Sequence, residues 1–170
     1  MKKSTIARLG EEDVIHLIGK EWMLVTAGTP ADFNTMTASW GGIGFLWNKP
    51  VAFVFVRPER YTHDFIERHE RMTLSFLGAE HRDILNLCGT KSGREVDKVA
   101  ATGLQPVATE LGNVTFGQAR LTLEGRKLYR TEMRADEFLD ETVRERWYND
   151  RPGGGLHTVY VMEIENVWER

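Results

Sequence analysis

Residues 34–62 read NTMTASWGGIGFLWNKPVAFVFVRPERYT. A threonine-rich strand is expected over Thr35–Trp40. Gly41, Gly42 and Gly44 then interrupt regular structure and let the backbone approach another group closely. Trp40 and Trp47 flank that loop. Val51–Val56 is an almost unbroken β-branched and aromatic run of buried-strand length, stopped by Pro58. Arg57-Pro58-Glu59-Arg60-Tyr61-Thr62 follows, at the start of a helix over Thr62–His69 with Thr62 as its cap and Phe65 and Ile66 facing inward. A helix start offers free N–H groups and partial positive charge, and arginine donates to phosphate in a two-pronged fashion. An aromatic slot beside an anion site suits a planar phosphorylated cofactor. Threonine and glycine are also ordinary in β proteins and RPxR alone is a weak motif, so a plain β core remains open on these residues.

Outward from this stretch the pattern is mainly β. Strands are expected over Met23–Ala27, ended by Gly28-Thr29-Pro30, and over Met72–Leu77. Two more are expected between Val114 and Met133 with Gly125 at the turn, and a long one over Thr158–Trp168. Helical periodicity marks Glu11–Lys20 as a short helix or arm. It also marks Glu80–Cys88 with Gly89 as C-cap, a short segment over Glu95–Ala101 ending near Gly103, and an amphipathic helix from a capping Asp136 through Tyr148. Thr90–Gly93 reads as a polar turn and Arg151–Gly155 as a flexible loop. Helices do not alternate one-for-one with strands, so an antiparallel barrel decorated by helices fits better than a doubly wound parallel sheet.

The totals agree with one domain over 1–170. The chain has 170 residues, 41% of them apolar and 28% charged, with a net charge of −3. That size buries enough surface to fold without staples. The charge gives no reason to expect nucleic acid or an anionic membrane as partner. No stretch approaches about 20 apolar residues, and no apolar run follows the N-terminal lysines, so neither a membrane span nor a secretory signal is expected. Cys88 is the single cysteine, which fits a reducing compartment, and the cytoplasm is expected by elimination. It is expected as a small buried residue on a helix rather than a nucleophile. The five histidines show no metal-ligand spacing, and no metal is expected. His63 and His81 sit at helix starts with local roles, whereas His157, beginning the last strand, either touches a ligand or lies at an interface. Phosphate-loop, dinucleotide-fold and nucleophile-elbow patterns are absent, and no acid–base dyad is expected.

Three blocks resemble one family. The first runs from Asn34-Thr35-Met36-Thr37 through Ser39-Trp40, the glycines to Gly44 and Lys49-Pro50, then Arg57-Pro58 with Arg60-Tyr61-Thr62. The second is Thr90-Lys91-Ser92-Gly93-Arg94 with Asp97-Lys98 behind it. The third is His157-Thr158-Val159-Tyr160-Val161 into Glu163-Ile164. In this order they resemble the flavin reductase-like family, and within it the flavoredoxin-like branch. The resemblance implies an FMN-binding split β-barrel of antiparallel Greek-key type, with FMN at or near a homodimer interface. It places backbone groups of Asn34, Thr35, Met36 and Thr37 at the polar edge of the flavin ring, with Ala38, Ser39 and Trp40 lining it. Arg57, Arg60, Tyr61 and Thr62 would lie near the phosphate, Lys91 and Ser92 at the phosphate or ribityl chain, and His157 beside the ring.

The activity implied is that of an oxidoreductase passing electrons from NADH or NADPH through FMN to a second acceptor. The alternative is a flavoredoxin-like carrier with tightly held FMN, a redox partner protein and no direct NAD(P)H turnover. Val161-Met162-Glu163 stands where relatives often carry a glycine before the acid, and Gly153–Gly155 is unusually glycine-rich. Both departures bear on access to the flavin.

Overall fold

The structure, a computed structural model, describes residues 1–148 and 155–170. In chain order the strands are β1 (Lys2–Ser4), β2 (Met23–Thr29), β3 (Asp32–Ala38), β4 (Gly41–Leu46), β5 (Lys49–Val56), β6 (Arg71–Phe76), β7 (Pro106–Ala108), β8 (Val114–Phe116), β9 (Leu121–Glu132) and β10 (Thr158–Glu169). The helices are α1 (Val14–His16), continued by a wider turn over Leu17–Glu21, then α2 (Tyr61–Arg68), α3 (Arg82–Thr90), α4 (Lys98–Thr102) and α5 (Glu141–Tyr148). The main sheet runs β3-β2-β6-β9-β10-β5-β4, with β1 added to β10, and every pairing is antiparallel. It curls around one core without closing, since β3 and β4 end the order on opposite sides. This is the split-barrel architecture, mainly antiparallel β with peripheral helices, that the strand pattern and the resemblance imply. No helix among the described residues is long and apolar enough to cross a membrane.

Val51, Ala52, Val54 and Val56 are fully buried, as the apolar run at 51–56 requires. Ala52, Val54 and Val56 pack with Val25, Met72, Leu74, Leu123, Tyr160 and Met162 inside the barrel. A second cluster lies outside it, where Leu85 and Cys88 of α3 meet Leu24, Leu77, Val114 and Phe116. Burial raises the pKa of the Cys88 thiol, so it sits there as a neutral apolar group.

Several local expectations are corrected. Gly41–Gly44 do not end regular structure: they form an edge strand in register with β5, Gly41 opposite Val54 and Leu46 opposite Lys49. The turn falls instead at Trp47 and Asn48, whose φ values of 52° and 58° are those of a two-residue type I′ hairpin. Gly125 is not a turn. It lies inside the continuous strand β9, beside a register shift in β10 between Ile164 and Asn166, where a Cβ would stand 2.0 Å from the Glu163 carbonyl oxygen. Thr62 is not a helix cap, because α2 starts one residue earlier and Arg60 occupies the cap position without a side-chain bond.

Gly89 is inside α3, whose last residue is Thr90 and whose C-cap is Lys91. Asp136 does not cap α5 either. It pairs with Arg134 at 2.9 Å, while Asp140 accepts from the Thr142 N–H at 3.0 Å and starts the helix. Phe138 and Leu139 therefore precede the helix rather than form its inner face. The segment near Glu95–Ala101 is helical only over α4, capped by Asp97 and ended by Gly103 at φ 70°. The loop expected at Arg151–Gly155 lies, apart from Gly155, outside the described residues.

Candidate functional site

The end of β3, the corner after β5 and the end of α3 converge on one side of the barrel. Between them opens a cleft of about 570 Å³. One wall is Met36, Thr37, Ala38, Ser39 and Trp40, which the pairing of β3 with β2 holds in place. Phe55, Arg57, Glu59, Arg60 and Gly89 form the floor, and Arg146, Trp147 and His157 the far side. The far side is an aromatic corner. Trp147 meets Trp40 edge-on at 5.1 Å between ring centroids, and His157 lies 5.4 Å from Trp40. His157 Nδ1 is 2.7 Å from the Tyr148 hydroxyl. Burial, reinforced by the Arg57 charge, pushes the His157 pKa down to about 4, so the ring is neutral at pH 7.

A second hollow of about 370 Å³ adjoins the cleft and shares Glu59, Arg60 and Gly89 with it. Its walls are the first turn of α2 and the chain after α3: Arg60, Tyr61, Thr62, Lys91, Ser92 and Gly93, with Lys98 below. Asn34 ties the two sides together. Its Nδ2 donates to the Thr62 hydroxyl at 2.7 Å, and a Cβ on Gly93 would stand 2.0 Å from its Oδ1, so a larger residue at 93 would have to displace the Asn34 amide. Arg60 donates to the Cys88 carbonyl at 3.1 Å and is held across the seam between cleft and hollow.

The residues expected from sequence are gathered here, though not all as expected. Thr37, Ala38, Ser39 and Trp40 line the cleft, and Arg60, Tyr61, Thr62, Lys91 and Ser92 line the hollow. The Asn34 side chain is a buried strut. The Thr35 hydroxyl lies on the sheet face turned away from the barrel core, where it meets the Thr26 hydroxyl at 2.8 Å, and Met36 is buried in the core. Arg57 is drawn away from the hollow: it donates to the Trp147 carbonyl at 2.7 Å and lies over the Tyr148 ring at 4.9 Å. It belongs to the aromatic corner.

Lys98 is one of the residues that carry the resemblance, and its role is structural. It is 6% exposed, and its Nζ donates to the Thr35 carbonyl at 2.7 Å and the Cys88 carbonyl at 3.1 Å, joining β3 to α3 beneath the hollow. The only local signal is its place directly after a capping Asp97; the burial comes from contacts distant in sequence.

Burial lowers the Lys98 pKa from 10.5 to about 8, with Cys88 opposing and Arg60 reinforcing the shift. Between those pH values the unfolded chain binds the proton that the folded chain has lost, so stability rises with pH across that window. The 2.5-unit gap corresponds to about 3 kcal/mol. Denaturant titrations of flavin-free protein should show wild type gaining about that much on Lys98→Met from pH 7.5 to 10.5. A constant difference would mean that Lys98 keeps its ordinary pKa.

The two hollows together fit FMN on their own chemistry. One is flat-walled and aromatic, bordered by the backbone of an edge strand. The other offers Arg60, Lys91 and Lys98, two hydroxyls and an uncapped helix start, a donor set suited to a phosphate dianion.

Comparison with known proteins bears on the fold. The fold resembles flavoredoxin of Desulfovibrio vulgaris (Miyazaki F), with a TM-score of 0.69 and 24% identity over 100% of this chain and 77% of that one. It resembles flavoredoxin from Methanosarcina acetivorans at 0.68 and 20%, over 88% of this chain and 68% of that one. An NADH:FAD oxidoreductase from Streptomyces globisporus C-1027 follows at 0.65 and 17%, over 88% and 74%. No curated protein matches the chain. The family model described as flavin reductase like domain matches residues 15–170, and the chain therefore belongs to the flavin reductase-like family.

Proposed function

We propose that the protein binds FMN with the ring in the cleft and the phosphate in the adjoining hollow, and that it is an NAD(P)H-dependent oxidoreductase. The observation that carries this reading is the junction at Arg60 and Gly89, where an aromatic cleft opens into a cationic hollow. FMN supplies hydride and single-electron chemistry when bound. The chain's work is to hold, orient and shield it. Arg60, Lys91, Thr62 and Ser92 hold the phosphate. Backbone groups of Met36–Ser39 face the ring's polar edge, and Trp40, Phe55 and Trp147 keep water from its face.

The cleft is open on one side, and Phe45, Trp47 and Tyr129 stand 70%, 55% and 51% exposed on the outer surface. The Trp47 and Tyr129 ring centroids are 6.2 Å apart, and an exposed aromatic pair of that kind supports assembly with a second copy. Anaerobic addition of NADH and of NADPH to the FMN-loaded protein tests the activity. Rapid bleaching of the flavin absorption with either donor is expected. Bands that persist with both, yet bleach with a reductase protein, would move the reading to a flavoredoxin-like carrier.

A further inference from the structure

Across Gly93 from the cationic hollow lies a third one, of about 580 Å³, along the unpaired edge of β3. The two share Gly93 and Lys98 in their walls. The chain between them turns back on itself, with the Glu95 and Val96 N–H groups both donating to the Ser92 carbonyl at 3.1 Å. Ser92 lines the cationic side of this turn and Glu95 the other.

The free charges of the third hollow are opposite to its neighbour's. Asp32, Glu95 and Asp97 line it. Asp32 and Glu95 are exposed, and neither carboxylate has a partner among the described residues. Asp97 uses one oxygen to cap α4, accepting from the Ala100 N–H at 3.0 Å. The two cations of the lining are committed elsewhere. Lys98 Nζ is turned to the Thr35 and Cys88 carbonyls, and Arg94 to Asp64 and the Tyr61 ring.

Asn34 adds a buried acceptor. It stands two residues from Asp32 on β3, so the two side chains leave the strand on one face. Asn34 is 8% exposed and also lines the third hollow. Its Nδ2 donates to the Thr62 hydroxyl at 2.7 Å and lies 3.5 Å from the Thr35 carbonyl oxygen. Turning the amide over would set two carbonyl oxygens against each other, which fixes its orientation. Oδ1 is then directed at Gly93, where no side chain covers it, and it accepts from no described donor. Among the described residues no three acidic, histidine or cysteine side chains are grouped to hold one metal ion. Acceptors spread in this way suit an extended cation with donors at more than one point, and Phe33 offers its apolar stem a wall.

We infer that the third hollow is a binding site for an aliphatic diammonium, with Asn34 Oδ1 and the Asp32, Glu95 and Asp97 carboxylates as its acceptors. The site is coupled to the cationic hollow through one side chain. An ammonium on Oδ1 polarises the Asn34 amide and makes Nδ2 a stronger donor to Thr62. Its positive charge also lies just across the Ser92–Glu95 turn from the place of the phosphate. FMN and the diammonium therefore bind better together than apart. That coupling rests on the FMN reading, whereas the amine binding does not.

The test is calorimetric titration of the full chain with putrescine, butylamine and butanediol at constant ionic strength, first without FMN and then with it. Putrescine is expected to bind saturably and at least tenfold more tightly than butanediol, as two or three exposed charge pairs allow, with butylamine between them. Asp32→Asn combined with Glu95→Gln changes two exposed side chains that lie outside the cofactor site. It should remove most of the preference and leave FMN affinity without amine within about twofold of wild type. Saturating putrescine should tighten FMN binding about fivefold in the wild type, and FMN should tighten putrescine binding by the same factor. Equal affinities for putrescine and butanediol overturn the inference, and so does a preference that survives in the double variant. An FMN affinity unchanged by saturating putrescine overturns the coupling. Putrescine binding by a chain that does not bind FMN overturns the cofactor reading alone.

Discussion

Gly125→Ala is expected to lower the stability of the protein by about 3 kcal/mol, the upper end of ordinary overpacking. A methyl group there would lie 2.0 Å from the Glu163 carbonyl oxygen, 2.9 Å from Met162 Cγ and 3.0 Å from the Glu163 carbonyl carbon. Two of those three atoms are backbone and cannot swing aside as a side-chain end can. The contact falls at the centre of the sheet, where β9 carries β6 on one side and β10 on the other. Relief requires β9 and β10 to part just where the register shifts between Ile164 and Asn166, and the β6 pairing would move with them. Gly103→Ala provides the comparison. A Cβ there meets nothing within 4 Å, but φ is 70°, so only the cost of left-handed backbone applies, about 1 kcal/mol. Urea denaturation of the two variants gives both numbers. A Gly125→Ala loss no larger than that of Gly103→Ala would mean that the β9–β10 approach is looser than described.

Arg60→Ala is expected to weaken FMN binding by about 30- to 150-fold, the worth of one charge-assisted hydrogen-bonding group at 2–3 kcal/mol. Arg60 stands where cleft and hollow meet, and its anchoring on the Cys88 carbonyl means that little side-chain freedom is lost when an anion arrives. The loss should shrink as salt is raised, because part of it is charge attraction screened by ions. Arg57→Ala separates the structural assignment from the sequence expectation. The Arg57 guanidinium serves the Trp147 carbonyl and the Tyr148 ring, so its removal should loosen α5 and cost FMN affinity less than tenfold. Riboflavin, which lacks the phosphate, sharpens the test: Arg60→Ala should bind riboflavin as the wild type does. Equal losses for FMN and riboflavin would place Arg60 at the ring instead.

The stretch 34–62 made the fold legible because its residues serve local and global demands at once. Val51–Val56 is apolar enough to be a buried, two-sided strand, and β5 is paired on both edges, with β10 and β4. Phe65 and Ile66 face inward because α2 has only the barrel to lie on. The errors have a common physical origin. Gly41–Gly44 and Gly125 looked like breaks because glycine weakens isolated strands, but in a curled sheet it also permits backbone approach, and neighbouring strands decide which applies. The hairpin turn at Trp47-Asn48 lacks the glycine that usually advertises a type I′ turn. Asp136 and Asp140 are equally plausible caps by composition, and only the path of the chain after β9 selects the second.

The site was legible where it depends on residue type and not where it depends on partner. Arg60 follows from a phosphate's need for donors and Lys91 and Ser92 from the resemblance, and the structure brings all three to one hollow. That Asn34 is a strut, that Arg57 turns to α5 and that Lys98 is buried beneath the hollow follow from contacts between segments far apart in the chain. The Tyr148–His157 pair has the same origin. Its partners are nine residues apart and meet across the end of α5 and the start of β10.

On the proposed reading, one cleft and its cationic hollow hold FMN. The most direct measurement is an equilibrium titration of flavin-free protein with FMN, read by quenching of flavin fluorescence and repeated with riboflavin. Saturation at one FMN per chain, with riboflavin bound at least tenfold more weakly, is the result this structure predicts. Absence of saturable FMN binding, or equal affinity for FMN and riboflavin, would contradict it.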